Sequence, residues 1–260
     1  MLLPLQTGIL YGPVKSRRYG RSLGINLCPS GYKLCSFNCV YCHYGQTGKL
    51  ATDAKPHEKD LPTRDDVVRA VEKALQSPVE IDAITFSGNG EPTLHPQFPE
   101  LADAVVGLRD RYRPGTKVAL LSNSTGLGRA DVRRSVSKLD LPVFKLDAGT
   151  ERMFNRINRP ARNVKFDDIV SQLKTLPNVY IQTVLIDGTP SNTHPDELLA
   201  LLGAIRDIHP KEVHLYTTDR PVAEVRVSKV DHDWLEDVAC HIKDETGVPA
   251  TAFYNGSKPQ

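Results

Sequence analysis

Apolar runs with two different periodicities divide the chain into short strands and longer helices. Nearly continuous apolar runs predict six buried strands, at 22–27, 81–87, 117–122, 141–147, 179–187 and 212–217. Apolar residues that recur every three or four positions predict helices after them, at 63–76, 99–111, 129–139, 150–158, 166–176, 195–208 and 231–245. In the first helix, Val67, Val68, Val71 and Leu75 form the apolar stripe and Thr63 is a plausible N-cap.

This alternation of strands and helices determines the expected fold class. Strands separated by helices pair in parallel through right-handed crossovers. Six such units predict an α/β fold, a partial (β/α)6 TIM-like barrel with parallel strands. An open doubly wound sheet is the main alternative. The sequence contains no repeat and no convincing linker, so we expect one domain over 1–260, with a loose tail at 255–260.

Polar residues gather where each predicted strand ends. In either architecture the active site lies at the carboxyl ends of the strands. The first strand leads into a cysteine-rich loop. The polar residues of the other strands are Ser87 to Glu91 after the second, Ser122 and Asn123 at the end of the third, Lys145 and Asp147 on the fourth, Gln182 on the fifth, and His214 and Tyr216 on the sixth. Their shared position predicts one site at this end of the fold.

Composition and charge exclude several classes of protein. The chain has 260 residues, 40% hydrophobic and 25% charged, and 33 basic against 31 acidic residues give a net charge of +2. A near-neutral globular chain argues against identity as an electrostatic binder of nucleic acid or membranes. The longest apolar run, 198–202, is far shorter than the ~20 residues of a membrane span. With no basic residue before its short N-terminal apolar stretch, we expect a cytoplasmic protein.

The cysteines carry the most specific signal. Cys35, Cys39 and Cys42 are spaced Cys-x3-Cys-x2-Cys, and Cys28 and Cys240 lie outside this motif. Three soft thiolates this close suit an iron–sulfur cluster or zinc. A [4Fe–4S] cluster held by three thiolates leaves one iron without a protein ligand. The alternatives are a zinc site completed by a neighbouring histidine and a helix face of core cysteines. For Cys28 we expect a buried core position.

The segment from Cys35 to Cys42 resembles the cluster-binding motif of the radical S-adenosylmethionine (SAM) enzymes. The resemblance implies that Cys35, Cys39 and Cys42 hold a [4Fe–4S] cluster, whose open iron is chelated by the amino and carboxylate groups of SAM. It also implies that Tyr41 lies against the adenine, and that the fold is a full or partial (β/α) barrel. This agrees with the number of predicted strands.

A second segment strengthens the resemblance. Asn89-Gly90-Glu91-Pro92 follows the second strand and resembles the Gly-Gly-Glu-Pro segment that binds the SAM amino group in that superfamily. Asn89 replaces the first glycine, and asparagine tolerates a positive φ better than most residues. Glu91 has the right charge to accept a hydrogen bond from an ammonium group. We therefore assign Asn89, Gly90 and Glu91 to SAM binding.

Other strand-end residues are candidates for the same pocket. Ser122 and Asn123 are candidates for the SAM carboxylate or ribose, and Gln182 for SAM or substrate. Lys145 and Asp147 are two residues apart, so on a strand they face the same side. We expect them near the ribose or substrate, as candidate catalytic residues, with a structural ion pair as the alternative.

The sixth strand and the chain before the first strand add two further groups. Tyr216, with His214 on the same face, is a candidate for the substrate side of the pocket, and Tyr216 is also a candidate catalytic residue. Arg17, Arg18 and Arg21 precede the first strand. They indicate either a solvated face or a contact with a phosphate-rich substrate such as tRNA.

The resemblance extends to one branch of the superfamily. The segments 11–24, 86–95 and 145–149 resemble a group related to wyosine synthase, a tRNA-modifying radical enzyme. Wyosine synthases bind a second cluster through additional cysteines, and Cys28 and Cys240 do not make a further set of three. The sequence therefore does not predict the wyosine reaction itself.

These observations predict a radical SAM enzyme with a [4Fe–4S] cluster and SAM as cofactors. The resemblance implies that reduced flavodoxin or ferredoxin supplies the electron, and that a 5′-deoxyadenosyl radical abstracts hydrogen from a small molecule or an RNA nucleoside. One alternative is an activase that makes a glycyl radical on a protein partner. Another is a non-catalytic zinc-binding module.

Overall fold

A computed structural model describes residues 1–255. The loose tail expected at 255–260 lies, from residue 256 onward, outside the described residues. The strands are β1 (Leu10–Ser16), β2 (Gly20–Ile25), β3 (Leu34–Cys35), β4 (Lys49–Leu50), β5 (Ala83–Phe86), β6 (Lys117–Ser122), β7 (Leu141–Lys145), β8 (Tyr180–Val184), β9 (Ile186–Gly188), β10 (Glu212–Tyr216), β11 (Val227–Lys229) and β12 (Ala250–Phe253). The helices are α1 (Arg64–Gln76), α2 (Phe98–Tyr112), α3 (Ala130–Val136), α4 (Glu151–Ile157), α5 (Phe166–Lys174), α6 (Pro195–Ile208) and α7 (His232–Thr246).

The predicted partial barrel is confirmed. Within residues 1–255 an eight-stranded sheet has the order β1-β2-β5-β6-β7-β8-β10-β12, and it curls into a half-barrel. Every neighbouring pair from β2 to β12 is parallel, and β1 is antiparallel to β2. The six predicted strands are β2, β5, β6, β7, β8 and β10. Their carboxyl ends therefore meet at one end of the half-barrel.

The helices cover the convex side of the sheet through the apolar faces that the periodicity predicted. Thr63 caps α1 by accepting a hydrogen bond from the Asp66 amide, and Val67, Val71 and Leu75 are buried. Further along, Phe86 of β5 packs edge-to-face against Phe98 of α2, at 5.5 Å between ring centres. Among the described residues no helix has both the length and the apolar character to cross a membrane.

The sheet differs from the prediction at both edges. Strand β1 alternates half-buried with exposed residues and contains Pro13, so it lacks the apolar run of an interior strand. At the other edge β12 has only four residues, after a left-handed Gly247 that ends α7. The predicted strand at 179–187 is divided at Leu185. There Asn192 accepts a hydrogen bond from the Ile186 amide and donates one to the Val184 carbonyl, which replaces the strand ladder.

The turn between β1 and β2 links the two edges of the half-barrel. Arg17 donates to Asp219 at 2.8 Å and to the carbonyl of Phe253 in β12 at 3.4 Å. Arg18 lies 3.2 Å from Nδ1 of His214 in β10. Two successive arginines therefore span the opening that the curled sheet leaves between its first and last strands.

Candidate active site

A cavity of about 390 Å³ opens at the carboxyl ends of the strands. It brings together most of the residues predicted from sequence. Those that line it are Cys35, Cys39, Tyr41, Cys42, Gly90, Glu91, Ser122, Asn123, Lys145, Gln182 and Tyr216. Asn89 and Asp147 are buried, at 0% and 2% exposure, and belong to the surrounding structure instead.

The cysteine loop is held in place by α4 and the residue after it. The Val40 amide donates to the carbonyl of Ile157, and the Asn38 amide donates to that of Asn158. The ring of Phe37 packs edge-to-face on Phe154 of α4, at 5.2 Å. Residues 36–48 form turns rather than a helix, so the three cysteines do not lie on one helix face.

Each of the three thiols faces a nitrogen donor from a side chain, and Cys35 also accepts from the Phe37 amide at 3.5 Å. Asn123 Nδ2 lies 3.5 Å from Cys35 Sγ, and Asn158 Nδ2 lies 3.5 Å from Cys39 Sγ. Lys33 Nζ lies 3.0 Å from Cys42 Sγ. Donors in these positions favour the thiolate form, which is the form that binds metal. The thiols are free and share one cavity, so they fit a cluster with three protein ligands.

Burial opposes ionisation of the Cys35 and Cys39 thiols. It raises the pKa of Cys35 to about 12, against the opposing effect of the Lys33 ammonium. It also raises the pKa of Cys39, against the effect of Lys145. Metal binding at these thiols must therefore release protons. Within residues 1–255 no three Cys, His, Asp or Glu side chains are placed to hold a single metal ion.

Lys33 was not among the residues singled out from sequence. It is 5% exposed, and its ammonium also donates to the carbonyl of Gly45 at 3.0 Å. Lysine is almost never this buried without a partner. The one indication in the sequence that Lys33 belongs to the site is its position two residues before Cys35.

The glycine-rich turn after β5 contacts the cysteine loop directly. The Leu34 amide donates to the Asn89 carbonyl, and the Glu91 amide donates to the Leu34 carbonyl, both at 3.1 Å. Gly90 has a φ of +156°, and a Cβ there would overlap the Leu34 carbonyl oxygen. Only glycine permits this approach. The two motifs singled out from sequence are therefore packed backbone against backbone.

The expectation that Asn89 takes a positive φ is wrong. The positive φ values of this turn belong to Gly88, at +123°, and to Gly90. The Asn89 side chain instead binds the N-terminal segment: its amide donates to the carbonyls of Gln6 and Pro29, and its oxygen accepts from the Gln6 amide. The Asn89 side chain therefore connects the N-terminal segment to the glycine-rich turn through hydrogen bonds.

Glu91 is buried and joins β5 to β6. Its carboxylate accepts hydrogen bonds from the Ser122 hydroxyl at 2.8 Å, from the Asn123 amide at 2.6 Å, and from the hydroxyl and amide of Thr93. Burial raises the pKa of Glu91, against the lowering effect of these donors. The network fixes the ends of two strands around the cavity wall.

Asp147 lies behind Tyr41 and holds it. Its carboxylate accepts from the Tyr41 hydroxyl, from Asn158 Nδ2 at 2.7 Å and from the Val184 amide at 2.8 Å. Lys145 lies on the cavity side, with its ammonium 5.0 Å from the centre of the Tyr41 ring. The two residues diverge because β7 ends at Lys145, so strand alternation does not extend to Asp147. They form no ion pair with each other.

Tyr216 lines the cavity at the end of β10. The guanidinium groups of Arg17 and Arg18 lie 5.1 and 4.9 Å from its ring centre, and its ring stacks on Phe253. Arg21 lies elsewhere, paired with Asp82 at 2.7 Å on the surface. The three arginines therefore form neither one solvated face nor one common basic patch. His214 is buried beneath the cavity rather than lining it.

Cys28 and Cys240 lie outside the cavity lining. Cys28 is 5% exposed, and its sulfur lies 3.7 Å from the Leu34 carbonyl oxygen. The expected buried position is confirmed. Cys240 is exposed on α7.

Comparison with known proteins decides the family. A family model described as the radical SAM superfamily matches residues 30–222. The chain belongs to the radical SAM superfamily. It is a radical SAM enzyme of unspecified reaction, and its family implies SAM and an iron–sulfur cluster.

Sequence relatives place it in a narrower group. It is 34% identical to UPF0026 protein slr1464 of Synechocystis, over 92% of this chain and 94% of the relative. It is 32% identical to UPF0026 protein MJ1312 of Methanocaldococcus jannaschii, over 83% of this chain and 65% of the relative. The chain is therefore a UPF0026 protein as well as a radical SAM protein.

Solved structures share its fold at low sequence identity. SuiB of Streptococcus suis bound to precursor peptide SuiA has a TM-score of 0.65 at 14% identity, over 89% of this chain and 48% of SuiB. The AdoMet-bound anSMEcpe has a TM-score of 0.60 at 13% identity, over 89% and 63% of the two chains. Archaeal TYW1 has a TM-score of 0.53 at 14% identity, over 87% and 72%. This chain spans about half the length of SuiB.

Proposed function

We propose that Cys35, Cys39 and Cys42 of this radical SAM enzyme hold a [4Fe–4S] cluster with one iron open to SAM. When bound, the cluster supplies an electron that cleaves SAM to methionine and a 5′-deoxyadenosyl radical, which abstracts hydrogen from a substrate in the cavity. The observation that carries this proposal is the direct packing of the glycine-rich turn on the cysteine loop. It supports a single site in which SAM contacts both motifs.

The residues of the chain position SAM and exclude water. Tyr41, fixed by Asp147, presents its ring to the adenine. The backbone around Gly90, with Glu91 and Asn123 beside it, faces the methionine end of SAM. In this arrangement Asp147 acts on SAM through Tyr41, and Asn89 acts through the position of the turn. Both are positioning residues in our proposal, rather than direct contacts of SAM.

Lys145, Gln182 and Tyr216 form the remaining side of the cavity and face the substrate. Burial raises the pKa of the Tyr216 hydroxyl, against the effect of Arg18, so this side chain stays neutral near pH 7. A neutral phenol can donate a hydrogen bond to substrate without adding charge. We propose a small molecule or a nucleoside as substrate.

The electron donor in this proposal is a reduced flavodoxin or ferredoxin. Family membership removes the support for a non-catalytic zinc module. No contact among residues 1–255 favours an activase role over action on a small molecule or nucleoside. Because Cys28 packs behind the glycine-rich turn and Cys240 is exposed on α7, we propose that this protein holds a single cluster.

Metal content and spectroscopy test this proposal. Anaerobic reconstitution should load about four iron and four sulfide per chain. The electron paramagnetic resonance spectrum of the reduced cluster should change when SAM is added, because SAM binds the open iron. Bound zinc without sulfide would contradict the proposal, as would a spectrum that SAM leaves unchanged.

A further inference from the structure

The floor of the cavity, on strands β7, β8 and β10, carries positive charge and free hydrogen-bond donors. Lys145 of β7 is in register with Gln182 of β8, which is in register with His214 of β10. Adjacent strands lie about 4.8 Å apart, so these three side chains form one row. Arg18 contacts His214 and lines the cavity above it. We call Arg18, Lys145 and Gln182 the basic floor.

The basic floor has donors that the protein does not use. In the described part of the chain, Lys145 has no ion pair and no side-chain hydrogen bond. Its ammonium lies over the Tyr41 ring, 5.0 Å from the ring centre. The Gln182 side chain has no hydrogen bond to residues 1–255. Among residues 1–255 the Arg18 guanidinium contacts His214 and two tyrosine rings, and no carboxylate lies within ion-pairing distance of it. Neighbouring Arg17, by contrast, is paired with Asp219.

Among residues 1–255, no carboxylate that lines the cavity is free to balance this charge. Glu212 acts on Arg18 at longer range, but it accepts a hydrogen bond from Thr251 and lies 3.4 Å from His214 Nε2. Glu91 is the one carboxylate among the described residues that line the cavity, and it already accepts four hydrogen bonds from the protein. Burial lowers the pKa of His214, with the Arg18 charge adding to this effect and Glu212 opposing it. A neutral His214 can accept a hydrogen bond from Arg18 but cannot neutralise it.

Unpaired cations in a partly enclosed cavity are costly unless a ligand pairs them. Arginine cannot lose its proton near neutral pH, so Arg18 stays charged. Contact with the Tyr216 ring offsets only part of this cost. SAM does not balance both Arg18 and Lys145, because it carries a sulfonium and an ammonium beside its single carboxylate. The remaining partner must come from the substrate.

On the basis of the proposed function, we propose that the substrate carries an anionic group, a carboxylate or a phosphate, that binds to the basic floor. Arg18 offers the planar pair of N–H donors that both groups accept in a bidentate manner. Lys145 adds a second charge and Gln182 an amide donor beside it. Lys145 lies beside Tyr41 of the cysteine loop, so an anion bound there would hold the substrate next to the proposed SAM site.

Calorimetric titration tests this proposal on the reconstituted protein, with saturating SAM and an oxidised cluster so that no turnover occurs. The probes are inorganic phosphate and acetate, with chloride added to keep ionic strength constant. The variants are Arg18→Gln, Arg18→Lys and Lys145→Gln. The matched control is Arg111→Gln, which removes an exposed guanidinium of α2 whose one charged or ring contact among the described residues is with Tyr112.

We expect saturable binding of at least one probe to the wild type and to the control. The probe with the lower Kd shows whether the anionic group of the substrate is a phosphate or a carboxylate. The Kd should rise at least tenfold in Arg18→Gln and Lys145→Gln, and less than about threefold in Arg18→Lys, which keeps the charge. If Arg18→Gln does not fold, Lys145→Gln decides the outcome.

Equal binding by the wild type and the glutamine variants would overturn the inference, as would no saturable binding of either probe. If the wild type binds SAM but neither anion, the inference alone fails. If it does not bind SAM, the proposed function fails as well.

Discussion

Replacing Gly90 by alanine tests whether close backbone packing joins the two motifs of the site. The added Cβ would overlap the carbonyl oxygen of Leu34, the residue before Cys35, and would also touch Cys28 Sγ at 3.2 Å. Backbone atoms cannot rotate away as a side chain end can. The turn and the cysteine loop must therefore separate by roughly 1.5 Å to reach an ordinary carbon–oxygen contact.

The cost follows from what this separation breaks. The hydrogen bonds from the Leu34 amide to Asn89 and from the Glu91 amide to Leu34 are lost, at about 0.5–1.5 kcal/mol each. A non-glycine residue in this region of φ adds about 1–3 kcal/mol of strain. We expect Gly90→Ala to lower the free energy of unfolding by about 2–6 kcal/mol. With an unfolding entropy of about 0.5 kcal/mol/K for a chain of this size, Tm falls by about 4–12 °C.

Thermal unfolding of the metal-free variant, followed by circular dichroism, measures this effect without interference from the cluster. The matched control is Gly107→Ala in α2, where an added Cβ meets no atom within 4 Å. Alanine favours a helix over glycine by about 0.5–1 kcal/mol, so the control should be slightly more stable than wild type. Iron content after reconstitution should fall in Gly90→Ala only. A Tm within 1 °C of wild type, with normal iron content, would refute the reasoning.

Three further predictions follow from single contacts. Lys33→Met removes the ammonium 3.0 Å from Cys42 Sγ. The midpoint potential of the cluster should therefore fall by on the order of 100 mV in a spectroscopic redox titration. An unchanged potential would show that the charge is screened. Asp147→Ala frees the Tyr41 hydroxyl, so the Kd for SAM should rise about tenfold at normal iron content, whereas an unaltered Kd would mean that Tyr41 needs no anchor. Asn192→Ala leaves the backbone groups at the end of β8 without partners and should cost about 2–4 kcal/mol; a thermal unfolding curve that coincides with wild type would contradict this.

Sequence pattern was sufficient for the interior of the sheet because interior parallel strands are buried on both faces. That burial produces the continuous apolar runs at β5 and β6. Edge strands lack this signal, since one edge of each is unpaired. Strand β1 therefore mixes half-buried and exposed residues, and β12 is too short to produce a recognisable apolar run.

The site residues were predictable where a local motif carried them and not where distant chain segments meet. The cysteines and Gly90 belong to short motifs, and the cavity unites them. The binding of Gln6 to Asn89 depends on the chain start folding back across 83 residues. Likewise Arg17, Arg18 and Arg21 look alike in sequence, yet a turn and a strand direct them to different partners.

Cys35, Cys39 and Cys42 are together expected to support cleavage of SAM at this site. The most direct measurement is 5′-deoxyadenosine formed by the reconstituted protein with SAM and dithionite under anaerobic conditions. We expect product from the wild type and from Cys240→Ala, whose cysteine is exposed on α7. We expect none from Cys35→Ala, Cys39→Ala or Cys42→Ala. Absence of 5′-deoxyadenosine from a wild type that carries its cluster, or its formation by all three cysteine variants, would contradict the account.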